Sequence, residues 1–179
     1  MTAANDIKTM QLYTHVERVQ RELVELGLAP DAPLSPERLD QLHYGGCAAV
    51  DAAIAPLGLT ADSRVLEIGS GLGGPSRRLA AETGCRVTAL ELQPDLHECA
   101  KDLTRRCGLD DRVEHVCGDA LEIVPEGAPF DAVVSWLTFL HIPDRDRLLA
   151  RCRQWLKPDG ALFIEDFHAR RTFDESERR

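Results

Sequence analysis

Apolar residues in the first part of the chain follow the periodicity of an α-helix. Between residues 8 and 27, charged side chains separate apolar ones that recur every three or four positions, which predicts an amphipathic helix. The apolar residues at this spacing are Leu12, Val16, Val19, Leu23 and Leu26. A helix with one apolar face needs a surface to bury it against, so we expect it to pack on the rest of the protein.

A proline-rich break separates this helix from two further helical signals. Ser35 and Pro36 have the residue types of an N-cap and a first helical position, and they predict a short helix that runs toward Leu42. After a glycine turn, another helix is predicted over residues 48–57. We interpret residues 1–60 as an N-terminal helical cap.

From residue 61 onward, short apolar runs alternate with amphipathic stretches. The runs lack the strict apolar–polar alternation of a strand with one wet face, which is typical of strands covered by helices on both sides. Predicted strands cover residues 65–69, 86–92, 112–120, 130–136 and 161–167, and predicted helices cover residues 75–82, 94–107 and 144–156. The dipeptide Asp159-Gly160 predicts a turn into the last strand.

Strands that alternate with helices indicate right-handed crossovers and a parallel sheet. We therefore predict an α/β fold with a doubly wound, Rossmann-like, mostly parallel sheet. The predicted core covers residues 61–167, and residues 168–179 form a polar C-terminal tail.

Composition narrows the function classes. The chain has 179 residues and a net charge of −9, which disfavours a nucleic-acid-binding surface because phosphate groups need a positive field. No apolar run reaches the roughly 18 residues that a membrane span needs, and the N-terminus lacks the apolar core of a signal peptide. We expect a cytoplasmic protein with six reduced cysteines and no metal site, because no C-x-x-C or histidine pair has ligand spacing.

The stretch RVLEIGSGLGGPSRRLA fits two nucleotide-binding fingerprints. Gly69, Gly71 and Gly74 match the G-x-G-x-x-G pattern of dinucleotide-binding folds. Gly69, Gly71 and Gly73, preceded by Glu67, match the E-x-G-x-G-x-G pattern of S-adenosylmethionine (SAM) binders. Both interpretations place a ligand outside the carboxyl end of the first strand, where an open parallel sheet binds its ligands.

Three acids at successive strand ends favour SAM. A carboxylate at Glu67 repels a pyrophosphate but tolerates the cationic amino group and sulfonium of SAM, and its alternative role is to bond loop amides. Glu91 lies 22 residues after Gly69 and suits the ribose hydroxyls that NAD and SAM share. Asp119 suits the adenine amino group, or alternatively ends its strand as a turn residue.

Several motifs together resemble those of a known family. LEIGSGLGG, the acid of ALEL, the GDA step and LKPDGALFIEDF resemble successive motifs of class I SAM-dependent methyltransferases, and the resemblance covers residues 44–167. SWLTFLHIPDRDRLLARCRQWLKPDG and the turn at Tyr44 are most similar to the small-molecule branch, with phosphoethanolamine, sterol and sarcosine methyltransferases. The resemblance implies methyl transfer from SAM to a small-molecule acceptor, with S-adenosylhomocysteine (SAH) as product.

The same resemblance implies which residues contact the cofactor. The implied contacts are Glu67, Gly69, Ser70, Gly71, Ser135 and Trp136 around the methionine part, Glu91 at the ribose, Leu92 against the adenine, and Asp119 with Ala120 at the adenine edge. Tyr44 is a further candidate contact, with simple packing as the alternative.

His141 is the candidate catalytic residue, because it follows the fourth predicted strand by a few positions. In the phospho-base methyltransferases a histidine in this setting acts with an acid four residues earlier, and Leu137 occupies that position here. The resemblance therefore implies a general base without its acidic partner, and bracing the turn is the structural alternative.

The end of the chain affects the expected activity. Relatives in this family continue with two more strands, whereas nothing after Phe167 has a strand pattern, so the last predicted strand has an open edge. The explanations are a fragment of a longer protein, another chain that covers the edge, and a truncated product that retains SAM binding without activity. We favour a truncated chain. The alternative functions are a SAM- or SAH-binding, catalytically silent or regulatory domain and, disfavoured by Glu67, an NAD-dependent oxidoreductase.

Overall fold

A computed structural model describes residues 15–29, 31–36, 43 and 45–167. In this part of the chain, five parallel strands form one sheet in the order β3-β2-β1-β4-β5. The strands are β1 (Arg64–Ile68), β2 (Arg86–Glu91), β3 (Val113–Cys117), β4 (Phe130–Trp136) and β5 (Leu156–Glu165). The predicted doubly wound parallel sheet is confirmed, and its strand order reverses between β1 and β4, the switch point at which such folds bind ligands.

Local sequence signals explain where the helices begin and end. The helices are α1 (His15–Glu25), α2 (Cys47–Leu57), α3 (Gly74–Thr83), α4 (Pro94–Arg106) and α5 (Arg145–Trp155). The end of α3 is set by Gly84, which has a left-handed φ of 75°. The start of α5 is capped by Asp144, whose Oδ1 accepts a hydrogen bond from the Arg147 amide at 3.0 Å.

Two predicted strand boundaries are wrong. The turn predicted at Asp159-Gly160 lies inside β5, because the pairing with β4 jumps from Phe130 opposite Leu156 to Ala132 opposite Ala161. The extra residues form a bulge within a single strand. At the other edge of the sheet, β3 ends three residues before the predicted position at residue 120.

Helices cover both faces of the sheet. On one face, a buried cluster that includes Val65, Val87 and Val134 packs with residues of α2 and α3. On the other face, Leu66, Val133 and residues of α5 form a second cluster. A third cluster joins α1 to α4 and the loop before α3, and it contains Val19, Leu72, Leu96 and Leu103. The described N-terminal helices thus pack directly on the α/β core.

Some predictions fall on residues outside the described ranges. These are the first predicted helix before His15, most of the short helix after Pro36, the cofactor contact at Tyr44, and the tail over residues 168–179. Among the described residues, no helix combines the length and apolar character that crossing a bilayer requires. None of the six cysteines is joined in a disulfide, and no group of three potential metal-ligating side chains gathers in the described part of the chain.

Candidate functional site

The loop between β1 and α3, residues 69–73 and here called the glycine loop, is fixed over the end of β2. The amides of Gly69 and Ser70 both donate to the Leu90 carbonyl, at 2.8 and 3.0 Å. Gly69 has a φ of +71°, and a Cβ at this position would collide with the Thr138 side chain. Gly71 also has a positive φ, of +53°, but a Cβ there would meet open space. The loop is therefore tightly packed at Gly69 and open at Gly71.

Glu91 ties the glycine loop to the end of β2. Its Oε2 accepts the Gly71 amide at 2.8 Å, and its Oε1 accepts the Gln93 amide at 2.9 Å. Burial raises the pKa of Glu91, and the two amide hydrogen bonds oppose that rise. Each carboxylate oxygen accepts more than one hydrogen bond, so this residue retains capacity for hydroxyl groups of a ligand.

Glu67 is buried beneath the loop and accepts a hydrogen bond from the Ser76 hydroxyl of α3. Burial raises the pKa of Glu67 to about 8, so its neutral form dominates at pH 7. The full negative charge expected at Glu67 from the sequence is thus largely suppressed by burial. Hydrogen bonds from both the hydroxyl and the backbone amide of Ser76 oppose this rise in the pKa of Glu67.

Ser70 Oγ in the glycine loop and Trp136 Nε1 at the end of β4 are buried polar atoms that lack a hydrogen-bond partner among the described residues. Their residues are 4% and 5% exposed, respectively. Buried polar atoms without partners are rare and costly, so each one needs an explanation. Ser135, between them in the site, differs because its hydroxyl donates to the Ile68 carbonyl at 2.9 Å.

Aromatic rings surround Trp136 at the end of β4. The centroid of its ring lies 5.5 Å from that of Phe163 on β5 and 5.9 Å from that of His43 in the N-terminal region. His43 immediately precedes Tyr44 in the sequence. The region before α2 therefore reaches the carboxyl end of β4.

The other side of the crevice is formed by the ends of β2 and β3. Leu92 is 51% exposed directly after β2, which leaves an apolar surface there. Asp119 is exposed, and its Oδ1 accepts the Leu121 amide at 2.7 Å in a turn. Ala120 is buried and packs in the core cluster on the α5 face. The turn that Asp119 closes is the reason why β3 ends earlier than predicted.

His141 lies half-buried in a single turn of 3-10 helix, Phe139–His141, which the sequence analysis missed. Burial lowers the pKa of His141, and the negative charge of Asp166 opposes that shift. Asp166 also accepts the Leu140 amide at 2.7 Å through Oδ2. Asp166 directly follows β5, and its charge acts on His141 although Leu137 occupies the position expected for an acid.

Leu137 and Thr138 shape the same edge, and both roles escaped the sequence analysis. Leu137 has a φ of +53°, which is uncommon for a branched side chain, and its amide donates to the Glu165 carbonyl at 2.8 Å. The Thr138 hydroxyl lies 3.3 Å from the Gly69 carbonyl and 3.1 Å from the Trp136 carbonyl, both of which accept from it. These contacts join the end of β4 to the glycine loop.

Comparison with known proteins gives a consistent result. Residues 65–160 match the family model described as a methyltransferase domain. The methyltransferase GfsG of Streptomyces halstedii is 32% identical over 85% of this chain and 53% of its own length. The sarcosine/dimethylglycine N-methyltransferase of Halorhodospira halochloris is 39% identical over 59% of this chain and 38% of its own length.

A solved structure extends the similarity across the described fold. The phosphoethanolamine N-methyltransferase 2 of Haemonchus contortus, in complex with phosphomonomethylethanolamine and S-adenosylhomocysteine, is 26% identical with a TM-score of 0.69. The match covers 98% of this chain and 38% of that one. The chain thus spans between about two fifths and one half of the length of these relatives.

Proposed function

The chain belongs to the methyltransferase-domain family, within the class I SAM-dependent methyltransferases, and from this premise we propose that it binds SAM and transfers its methyl group to a small-molecule acceptor. The observation that carries the proposal is the pair of buried polar atoms, Ser70 Oγ and Trp136 Nε1, that lack partners among the described residues at the switch point of the sheet. A ligand that satisfies both atoms accounts for their burial.

The residues around the glycine loop fit SAM. The open space over Gly71 allows a ligand to approach the backbone closely, which a side chain at that position would prevent. Ser70 offers a hydroxyl to the amino-acid end of the cofactor. Glu91 has lone pairs for the ribose hydroxyls, and the exposed Leu92 suits the face of an adenine.

We assign the remaining contacts to the same cofactor. Glu67, Gly69, Ser135 and Trp136 border the methionine part, with Tyr44 as a contact from the N-terminal region. Asp119 and Ala120 border the adenine edge, where one Asp119 oxygen already holds the turn. These assignments rest on the family resemblance and on the positions of the residues at neighbouring strand ends.

SAM supplies an electrophilic methyl group, so the protein mainly has to align the acceptor and exclude water. His141 can act as the general base when the methyl acceptor starts protonated, because burial keeps its imidazole neutral at pH 7. The charge of Asp166 stabilises the imidazolium that forms when the proton arrives. Together they replace the acid–histidine arrangement that Leu137 precludes.

Calorimetry with SAM, SAH and NAD tests the cofactor. We expect SAM and SAH to bind, and Ser70→Ala to weaken SAM because a hydrogen bond is lost, by roughly threefold to tenfold. Ser63→Ala is the matched control, since Ser63 is also buried but precedes β1 at the opposite edge of the sheet. Binding of NAD without SAM overturns the proposal.

A screen with labelled methyl groups then separates the two possible roles of a SAM binder. Turnover with an amine, phenol, sugar or sterol acceptor supports the transferase. The same screen identifies the class of acceptor. SAM binding without transfer to any acceptor favours a silent or regulatory domain instead. We also infer a cytoplasmic location, which fractionation of the source cells tests.

A further inference from the structure

The amino edge of the sheet, opposite the glycine loop, carries a row of arginines. Arg64 on β1 and Arg86 on β2 are register partners. Arg112 directly precedes β3 and accepts the Val87 amide through its carbonyl at 2.9 Å, so it is the next neighbour of Arg86. Residues in register on adjacent strands point to the same face of a sheet, and the three side chains therefore lie side by side.

Among the described residues, only one of these three guanidinium groups has a carboxylate within ion-pair distance. No carboxylate among the described residues lies within 4.0 Å of the Arg64 or Arg86 guanidinium, whereas Arg112 Nε lies 3.5 Å from Asp111. Arg64 is placed over the Phe130 ring, 5.9 Å from its centroid. Like charges on neighbouring strands destabilise a sheet, so a bound anion would relieve a real cost.

A cavity of about 480 Å³ opens over these residues. Its lining includes the three arginines, Phe130, and the loop at Gly127. Gly127 has a φ of +95°, and a Cβ there would collide with the Arg64 guanidinium, so glycine allows the loop to close against the charge. The volume is in the range of small-molecule sites.

The walls of the cavity also limit what enters it. Asp110, Asp111, Glu114 and Glu126 line it together with the arginines. These four carboxylates outnumber the three guanidinium groups and repel an extended polyanion such as a nucleic acid, so an anion must be compact enough to contact the arginines directly. The carboxylates also accept hydrogen bonds from hydroxyl or amino groups of such a ligand. The arrangement therefore selects a small molecule that has both a concentrated negative charge and hydrogen-bond donors.

We propose that this cavity is a second ligand site, which binds a small phosphate-bearing molecule on Arg64, Arg86 and Arg112. A guanidinium group can donate two parallel hydrogen bonds to the oxygens of one phosphate, a geometry that a lysine ammonium group does not supply. The site lies at the edge of the sheet opposite to the proposed SAM crevice, and the inference does not depend on methyl transfer.

Calorimetric titration with pyrophosphate at constant ionic strength tests the site, with inorganic phosphate and citrate as comparison anions. We expect pyrophosphate to bind more tightly than either, and Arg86→Gln to weaken it by at least about tenfold, since a charge-assisted pair is lost. Arg86→Lys keeps the charge but not the paired geometry, and we expect an intermediate loss. Arg153→Gln on α5, which removes an exposed arginine elsewhere, is the matched control and should leave the affinity unchanged.

Amide chemical shifts locate the bound anion. Pyrophosphate should shift the amides of residues 86–88, 112–114 and 126–127 and leave those of the glycine loop unchanged. Circular dichroism identifies any variant that fails to fold. In that case the chemical-shift mapping of the wild-type protein alone tests whether the anion binds in this cavity. The proposal is overturned if pyrophosphate does not bind, if Arg86→Gln and Arg153→Gln weaken it equally, or if the shifts lie at the carboxyl edge of the sheet.

Discussion

Burial controls the charge of Glu67, the residue that separated the two cofactor interpretations in the sequence. Its pKa of about 8 lies above the ordinary value of 4.5, so the folded protein holds a proton there that the unfolded chain releases. This contribution favours the folded state below about pH 4.5 and is lost as the pH rises toward 8. A cationic ligand beside Glu67 would favour the ionised form and reverse the preference.

The first prediction concerns the pH dependence of SAM binding. Because the ligand cation stabilises ionised Glu67, SAM affinity should increase between pH 6 and pH 8, by up to about tenfold per unit. Glu67→Gln should bind SAM with little dependence on pH, and its unfolding free energy should fall less steeply over this range. Calorimetry in buffers of different ionisation enthalpy measures the released proton, and a pH-independent wild type would contradict the prediction.

The second prediction compares two glycines of the same loop. Gly69→Ala adds a methyl group that collides with Thr138 and strains a positive φ, so we expect a loss of unfolding free energy of about 2 kcal/mol or more. Gly71→Ala meets open space and pays only the backbone strain, of about 1 kcal/mol. Its larger effect should be on SAM affinity, because the methyl group enters the proposed ligand space. Urea unfolding and calorimetry separate the two effects.

The third prediction addresses His141 and Asp166. Asp166→Asn removes the negative charge that opposes the effect of burial on the pKa of His141, so this pKa should fall further. If His141 accepts the proton, the acidic limb of the kcat/KM profile moves to lower pH in this variant and disappears in His141→Gln. Glu165→Gln, one residue away, is the control and should leave the limb in place. An unchanged limb in Asp166→Asn assigns the titration to another group.

At the level of elements, residue types that act locally were predictable. Gly84 and Asp144 set helix boundaries through their own backbone and side chain, so their signals are present in a few adjacent letters. The bulge in β5 was not predictable in this way. The dipeptide Asp159-Gly160 fits a turn before a strand and a bulge within a strand equally well. Which of the two forms depends on pairing with β4 near Asp131, which is distant in sequence.

Asp131 stabilises that pairing, and it carries the fourth prediction. Its Oδ1 accepts from Lys157 Nζ at 2.7 Å and its Oδ2 from the Arg64 amide at 2.8 Å. Burial alone raises the pKa of Asp131, but the hydrogen bonds from Lys157 and the Arg64 amide outweigh it and lower the pKa. The stabilisation is therefore present above the ordinary value of 3.8 and is lost as the pH falls below it.

Asp131→Asn should lower the unfolding free energy by about 1 kcal/mol at pH 7, with wild type and variant converging in acid. Glu122→Gln removes an exposed ion pair with Arg147 of α5 and should change stability by less than about 0.5 kcal/mol. Urea unfolding measures both variants. Equal losses in the two variants would mean that the bridge across the bulge contributes no more than an ordinary surface pair.

For the whole molecule, alternation of strands and helices was enough to predict the parallel sheet and its Rossmann-like class. The positions of Glu91 and Ser70 at strand ends were predictable from the family motifs, whereas their contacts with SAM stay predictions. Thr138 and Asp166 were missed because their roles arise from contacts with the glycine loop and the His141 turn, far away in sequence. That residues 1–60 form one cap, which includes Tyr44, stays a prediction.

The fifth prediction concerns the outer edge of β5, which has no strand neighbour among the described residues. Leu162 and Ile164 there are 37% and 38% exposed, and an open apolar edge favours association. We expect this chain to form a homodimer in sedimentation experiments, which Leu162→Asp with Ile164→Asp dissociates. Leu149→Asp, at an exposed leucine of α5, should not dissociate it. A chain that stays monomeric at all concentrations excludes self-association at this edge.

The unpartnered indole of Trp136 has an optical consequence. The chain has two tryptophans, and the other, Trp155, is packed in the core cluster under α5 and lies away from the crevice. A molecule that bonds to the Trp136 N–H, or displaces the His43 ring beside it, changes the polarity around only one of the two emitters. Occupancy of the crevice is thereby coupled to the intrinsic fluorescence of the protein, which gives its ligands a spectroscopic signature without any added label.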